Sequence, residues 1–331
     1  MKVLFVASGN SKYFEIAPFI KAQGESIREQ GIGVDYFLIR GKGFLGYLRN
    51  AIRLRKYLRC NPHDLIHAHY TLSGWCAVLA KRKVPIVLSI MGSDAYGTYI
   101  GEKKVKLSGK LLTILTFLIQ PFIDAIISKS KYIDKHIWRK QSAYIIPNGV
   151  SFDFQNSVSP DIKVEMAFEK NTKYVLFLGD KTDRRKNFKL VFEAVNLLKN
   201  DNIELISPYP ITHDIVFKYL NVVDVFVLTS YIEGSPNVVK EAMAFNCPVV
   251  STDVGDVKWL FGDTPGHYLT RFDPTDVAEK IRLAIEFRNI VGQTKGRERI
   301  LELGLDSETI ARTIVEVYKR VLGVKEISIT N

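Results

Sequence analysis

The stretch Val222–Thr252 limits the possible folds more than any other part of this chain. Val222-Val223-Asp224-Val225-Phe226-Val227-Leu228 is short, apolar and β-branched, the pattern of a buried strand. A polar loop, Ser230–Glu233, follows, and then Ser235-Pro236. That pair reads as a helix start: the serine oxygen can accept an orphan N–H, and proline supplies a helical φ where no donor is needed. Val238, Val239, Ala242, Met243 and Phe245 give the helix an apolar face. Asn246, which tolerates left-handed backbone, ends it, and Pro248 lies just beyond. Val249-Val250-Ser251-Thr252 is then the next, parallel strand. Such a unit aims the N–H groups of Gly234, Ser235 and Asn237, around Pro236, at the carboxyl end of a sheet, where the helix dipole favours an anion. Glu233 and Glu241 flank the position. Carboxylates repel phosphate but bind hydroxyls strongly, so the stretch suits a phosphate with hydroxylated groups on both sides, as in a nucleotide sugar. An ordinary βαβ unit with surface glutamates accounts for the same spacing.

The rest of the chain repeats the alternation. In the first half, strands are predicted at Lys2–Ala7, Val34–Ile39, Asp64–Ala68, Ile86–Ile90, Ala125–Ser128 and Tyr144–Ile146. Helices are predicted between them, at Phe14–Gln30, Leu45–Arg59, Leu72–Lys83, Lys104–Leu118 and Lys131–Arg139. The second half restarts at Tyr174–Leu178, with strands at Ile203–Ile206 and Val222–Leu228 and helices at Val277–Arg288 and Ser307–Leu322. Repeated βα with short apolar strands means doubly wound parallel sheets, with ligands at the carboxyl ends of the strands. At 331 residues the chain suits two domains of roughly 150 each. Pro147-Asn148-Gly149-Val150 is a turn-rich hinge between them, and Phe152–Asp161 reads as a linker.

Several groups sit where such sheets bind ligands. Gly9, after the first strand, allows close backbone approach, but there is no G-x-G-x-x-G and an NAD site is not supported. His67 and His69 end the third strand and are either structural or ligand-binding. Met91-Gly92-Ser93-Asp94 follows the fourth. Lys181, Arg184, Arg185 and Lys186 crowd a strand-to-helix loop before Asn187, a candidate N-cap, and form a second anion site. Cys60, Cys76 and Cys247 are widely spaced, without metal-type spacing, and point to a reducing cytosol. No signal peptide is read at the N-terminus, and Gln120-Pro121 and Asp124 interrupt the most apolar run, so no spanning helix is expected. The net charge of +11 asks for an anionic partner. No nucleic-acid motif accompanies it. The helix Leu45–Arg59, with Arg49, Arg53, Arg55, Lys56 and Arg59 among Leu48, Ile52, Leu54 and Leu58, suits an anionic membrane surface or a lipid diphosphate. Lys103, Lys104, Lys106 and Lys110 form a second basic patch; a solvated charged face explains both equally simply.

Glu233-x7-Glu241, then Glu241-Ala242-Met243-Ala244 and Pro248-Val249-Val250, resembles the signature of GT4-type retaining glycosyltransferases. The resemblance covers nearly the whole chain. It implies the GT-B fold, two Rossmann-like doubly wound parallel-sheet domains facing across a cleft. It divides the chain into residues 1–150 (acceptor side), 151–306 (nucleotide-sugar donor side) and a last helix, 307–331, packing back on the first domain. It also implies retaining transfer of a hexosyl group from a UDP- or GDP-hexose to an acceptor hydroxyl, without metal or other cofactor. Polysaccharide or glycolipid assembly, with a lipid-linked or saccharide acceptor, is the setting it suggests. Glu233 would hold hydroxyls of the transferred sugar and Glu241 those of the ribose. Lys186 matches the lysine on the donor diphosphate; the family arginine is replaced by Asp180, so Arg184 or Arg185 would substitute. Gly9, His69, Asp94 and Asn148 would contribute from the first domain, closing about Asn148–Phe154. Met91 stands at the family's histidine, and Gly255-Asp256 where Gly-Gly is usual. A GT-B nucleotide-sugar epimerase and a non-catalytic nucleotide- or lipid-binding protein are the rival readings.

Overall fold

A computed structural model describes residues 1–11, 14–41, 43–80, 83–102, 104–152 and 168–324. Lys103 of the second basic patch and residues 153–161 of the expected linker lie outside them. The chain forms two compact units. The first comprises Met1–Thr98, Lys106–Gly149 and the C-terminal segment from Ser307; the second comprises Tyr99–Val105 and Val150–Asp306.

The first unit is built on six parallel strands in the order β2-β1-β3-β4-β5-β6: β1 Lys2–Ser8, β2 Gly33–Ile39, β3 Leu65–His69, β4 Ile86–Ile90, β5 Ala125–Ser128 and β6 Ala143–Ile145. Val3–Ala7 of β1 are fully buried, as a central strand covered on both faces requires. The change of direction in strand order after β2 divides the helices into two sets. Pro18–Glu29 packs on the C-terminal helix Ser307–Leu322; Gly43–Cys60 packs on Thr71–Ala80, which packs on Leu107–Ile119.

The second unit has five parallel strands in the order β11-β10-β9-β7-β8: β7 Lys173–Leu176, β8 Ile203–Ile206, β9 Val225–Leu228, β10 Val249–Thr252 and β11 His267–Thr270. Its core joins Val175, Phe177, Val225, Val227 and Val250 of the sheet to Val191, Ala194, Val277 and Ile281 of two helices. In each sheet the strand order reverses once, between β1 and β3 and between β7 and β9. Those two points are where doubly wound sheets open a crevice at their carboxyl ends.

Several element boundaries differ from expectation. Val222 closes a helix, His213–Val222, that the apolar run concealed, and β9 starts only at Val225. The Asp224 carboxylate accepts the Tyr174 N–H at 2.9 Å, which breaks the run where it looked continuous. The helix expected from Phe14 begins at Pro18, because proline fits only the first turn. Lys131–Asp134 is a single turn rather than a helix reaching Arg139. Pro236 is the N-cap and Asn237 the first helical residue, one position later than Ser235-Pro236 suggested, with no side-chain cap. Asn246 does adopt the left-handed conformation, φ 54°.

Candidate active site

At its switch point the second unit brings Lys186 and Arg185 to Glu233. After β7, Gly179 leads into a tight basic loop. A Cβ on Gly179 would stand 3.3 Å from Lys186 Cγ, so a side chain there would crowd the lysine stem. Asp183 starts the 3-10 turn Arg184–Lys186: its Oδ1 accepts the Arg185 N–H at 3.0 Å and its Oδ2 pairs with the Arg185 guanidinium at 3.0 Å. Asp180, at the family's arginine position, accepts both the N–H and the hydroxyl of Thr182 and so shapes the turn. Asn187 precedes the helix Phe188–Asn196, but in left-handed conformation and without capping it through its side chain.

The loop after β9 is fastened to this turn. Thr229 Oγ1 lies 3.2 Å from the Lys186 carbonyl and 3.1 Å from that of Asn187, and the Tyr231 N–H donates to the Arg185 carbonyl at 2.9 Å. The stitching carries Lys186 Nζ to 2.6 Å from Glu233 Oε1, which also accepts from the Ser230 hydroxyl at 2.8 Å. Burial favours the neutral carboxyl of Glu233. Lys186, Arg185 and the two hydrogen bonds outweigh that and hold its pKa below the usual value, so Glu233 is an anion.

Gly255, after β10, fixes the same loop from the other side. Its φ is +63°, and a Cβ would stand 2.6 Å from the Gly234 carbonyl, so only glycine fits. Asp256 beside it is half-buried, with its carboxylate oxygens shielded from solvent near Ser235 and Lys240. Lys240, on the helix Asn237–Ala244, is wholly buried; burial brings its pKa down to about 8 against the pull of Asp256 and Glu241. Glu241 Oε1 accepts from His213 Nε2 at 2.9 Å. Burial works against protonation of His213, but the Glu241 bond and charge prevail and raise its pKa.

In the first unit the loops fill mainly with their own contacts. Gly9 donates to the Ile39 carbonyl at 2.9 Å, and a Cβ there would approach Leu38 to 3.1 Å. Asp94 is completely buried. Its Oδ1 accepts the N–H groups of Met91 and Gly92, each at 2.9 Å, and its Oδ2 accepts that of Thr71 at 3.0 Å. Asp94 therefore shapes the Met91–Gly92 turn. His67 bonds the hydroxyls of Tyr318 (2.5 Å) and Ser89 (2.8 Å) and is structural. His69 is buried with no hydrogen bond to either ring nitrogen, stacked on His67 at 4.3 Å. Burial, then the neighbouring Lys129, keeps it neutral. Asn148 is the second-last residue before the boundary at Gly149.

Ser230, His213, Lys240 and Tyr318 escaped the sequence reading. Thr212-His213-Asp214 has the look of a helix start, but no spacing rule links it to Glu241. Among the described residues no cluster of three or more His, Cys, Asp or Glu could hold a metal ion.

Two parallel-sheet Rossmann-like units, each with one switch point, are the architecture of the GT-B fold. Comparison with known proteins agrees. The family model Glycosyltransferase Family 4 matches residues 3–154, and Glycosyl transferases group 1 matches residues 208–286. The chain belongs to the GT4-type glycosyltransferases. It is 28% identical over 275 residues to the uncharacterized glycosyltransferase MJ1178 of Methanocaldococcus jannaschii, covering 77% of this chain and 75% of that one. It is 25% identical over 227 residues to a Bacillus subtilis protein assigned provisionally as the teichuronic acid biosynthesis glycosyltransferase TuaC; the match covers 60% of this chain and spans only 55% of that protein's length. In fold it is similar to the sucrose-phosphate synthase of Thermosynechococcus elongatus, at TM-score 0.77 and 16% identity, covering 98% of this chain and all of that one. It is also similar to the Anabaena protein HepE in complex with UDP-glucose, at TM-score 0.68 and 16% identity, covering 97% and 100%.

Proposed function

We propose that this protein transfers a hexosyl group, with retention of configuration, from a UDP- or GDP-hexose to an acceptor hydroxyl. The setting is assembly of a surface polysaccharide or glycolipid at the inner face of the membrane. The observation that carries the reading is the Lys186–Glu233 pair, set at the β7/β9 switch point beside the start of the helix Asn237–Ala244. In the free protein the two groups neutralise each other. A donor diphosphate would take Lys186, with Arg185 or Arg184 beside it, and release Glu233 to accept hydroxyls of the hexose. The N–H groups around Gly234–Asn237 would face the same phosphates, and Glu241 the ribose. In the transfer, the bond from the anomeric carbon to the β-phosphate oxygen breaks and a bond to the acceptor oxygen forms. The acceptor proton leaves with the diphosphate. Charge builds on that leaving group, where a preorganised lysine and backbone N–H groups stabilise it most. Gly9, Asp94 and Asn148 would shape substrate-binding loops of the first unit, and His69 would line them.

The UDP-glucose bound by HepE supports a nucleotide-sugar donor. A panel of UDP- and GDP-sugars tests the reading: one donor should raise the melting temperature and yield free nucleoside diphosphate on addition of acceptor. Nucleotide-sugar isomerisation without acceptor would instead establish an epimerase, and binding without turnover a non-catalytic protein.

A further inference from the structure

One face of the first unit takes no part in the donor site and breaks the usual rule for helices in water. The helix Leu107–Ile119 buries Gly109, Leu112, Thr116 and Ile119. It turns Leu107, Leu111, Ile114 and Leu118 outward, at steps of four, three and four residues, with exposures of 82%, 59%, 54% and 50%. A surface helix normally shows polar residues on that side, and a contiguous exposed apolar stripe marks an interaction surface. The stripe extends to Phe117, whose ring lies 5.6 Å from that of the exposed Trp138.

Because Gly43–Cys60, Thr71–Ala80 and Leu107–Ile119 pack in that order, they form one layer. At the far side of the layer the first of these helices exposes Leu48 and Ile52 next to Arg49 and Arg53. Its Leu54 and Leu58 are buried and face the core, so its apolar contribution to the surface comes from Leu45, Leu48 and Ile52. Charge on the two outer helices is all of one sign. Together they carry Arg49, Arg53, Arg55, Lys56, Arg59 and Lys110 and not one carboxylate. Two copies of such a face would repel each other, which disfavours self-association. A surface with an apolar interior and anionic headgroups satisfies both halves of the pattern. Among the described residues no helix is long and apolar enough to cross a membrane, so contact would be from one side.

We propose that this three-helix layer is a membrane-docking face. The stripe of Leu107–Ile119 enters the apolar boundary of an anionic bilayer, while the arginines of Gly43–Cys60 hold lipid phosphates. The functional reading is used only in supposing a membrane-borne acceptor; the docking itself stands on these side chains.

The test uses the full chain with vesicles of phosphatidylglycerol and phosphatidylcholine, and with phosphatidylcholine alone. Wild type should sediment with the anionic vesicles only, and release as salt is raised. L111E/I114E should lower the bound fraction at least about tenfold, and R49E/R53E should do so even at low salt. All four side chains are exposed, so wild-type melting temperature and donor binding should persist. Indifference of wild type to anionic vesicles at low salt would overturn the proposal. So would unchanged sedimentation of L111E/I114E, or conversion of an oligomer to monomer by that variant. Donor binding measured on the same preparations keeps the two readings apart: it can fail while docking holds, and the reverse.

Discussion

Lys186 Nζ and Glu233 Oε1 lie 2.6 Å apart, on loops that leave neighbouring strands β7 and β9. The sequence suggested a cation for phosphate and, separately, a carboxylate for sugar hydroxyls. In the free protein they are partners; on the proposed reading, a donor would replace each one's partner with a group of its own.

Breaking the pair should therefore cost stability as well as turnover. Lys186→Ala leaves Glu233 buried with less compensation, and should lower unfolding free energy by about 3 kcal/mol near neutral pH. The depressed pKa of Glu233 fixes the pH dependence. Its stabilising share is present above the ordinary carboxylate range and is lost as pH falls through the lower, folded value. The gap between wild type and Lys186→Ala should thus narrow in acid. With donor present, kcat should fall more than donor affinity. Urea titrations at several pH values, with steady-state kinetics, check both parts; wild-type turnover in Lys186→Ala would reject the assignment.

The two glutamates should separate by ligand. Glu241→Ala should weaken the bare nucleoside diphosphate by about 1–3 kcal/mol, whereas Glu233→Ala should spare it and weaken only the intact donor. Calorimetry with both ligands decides. Equal losses for both ligands in both variants would refute the division.

If Glu241 holds the ribose as proposed, His213 should give nucleotide recognition a pH dependence. Its raised pKa means that protonated His213 holds Glu241 at low pH, and that this contribution to stability is lost as pH rises through the folded value. Binding runs in the opposite sense. Deprotonation strengthens Glu241 as an acceptor, so affinity for the nucleotide sugar should rise across the histidine range; the donor's diphosphate diester does not titrate there. His213→Gln should flatten the profile. A slope that survives the substitution would place the titrating group elsewhere.

Tyr318 holds the last helix to the first sheet through His67. Tyr318→Phe keeps the ring and removes the hydroxyl, leaving a buried ring nitrogen of His67 without its partner. The expected loss is about 1–3 kcal/mol in chemical denaturation, with donor affinity unchanged. A smaller effect than surface substitutions show would mean that packing alone secures the helix.

The alternation of apolar runs was legible because parallel strands buried on both faces need no polar positions. Hence β4, β5 and β10, buried throughout, fall where the sequence put them. Val222–Asp224 misled because helix end and strand start are equally apolar. His267–Thr270, a strand with only two hydrophobic residues, gave no run to see. Lys186, Glu233 and Glu241 could be singled out because a strand–loop–helix unit fixes their neighbourhood locally. Their partners were not: Lys186 and Glu233 meet 47 residues apart, and His213 reaches Glu241 across 28. Asp94, expected to help close the site, accepts the N–H groups of Met91, Gly92 and Thr71, contacts that its loop sequence did not announce.

The C-terminal helix also bears on how the molecule is made. Ser307–Leu322 covers Pro18–Glu29, yet nearly three hundred residues of synthesis separate them, and the whole of the second sheet is translated in between. A nascent chain must carry its first sheet with one helical flank uncovered while the second unit, contiguous from Val150 to Asp306 apart from one short segment, has all it needs to fold. The first unit is thus completed only after the second has been translated, and a stop codon before Ser307 would spare the second unit's sequence while leaving the first open on one side.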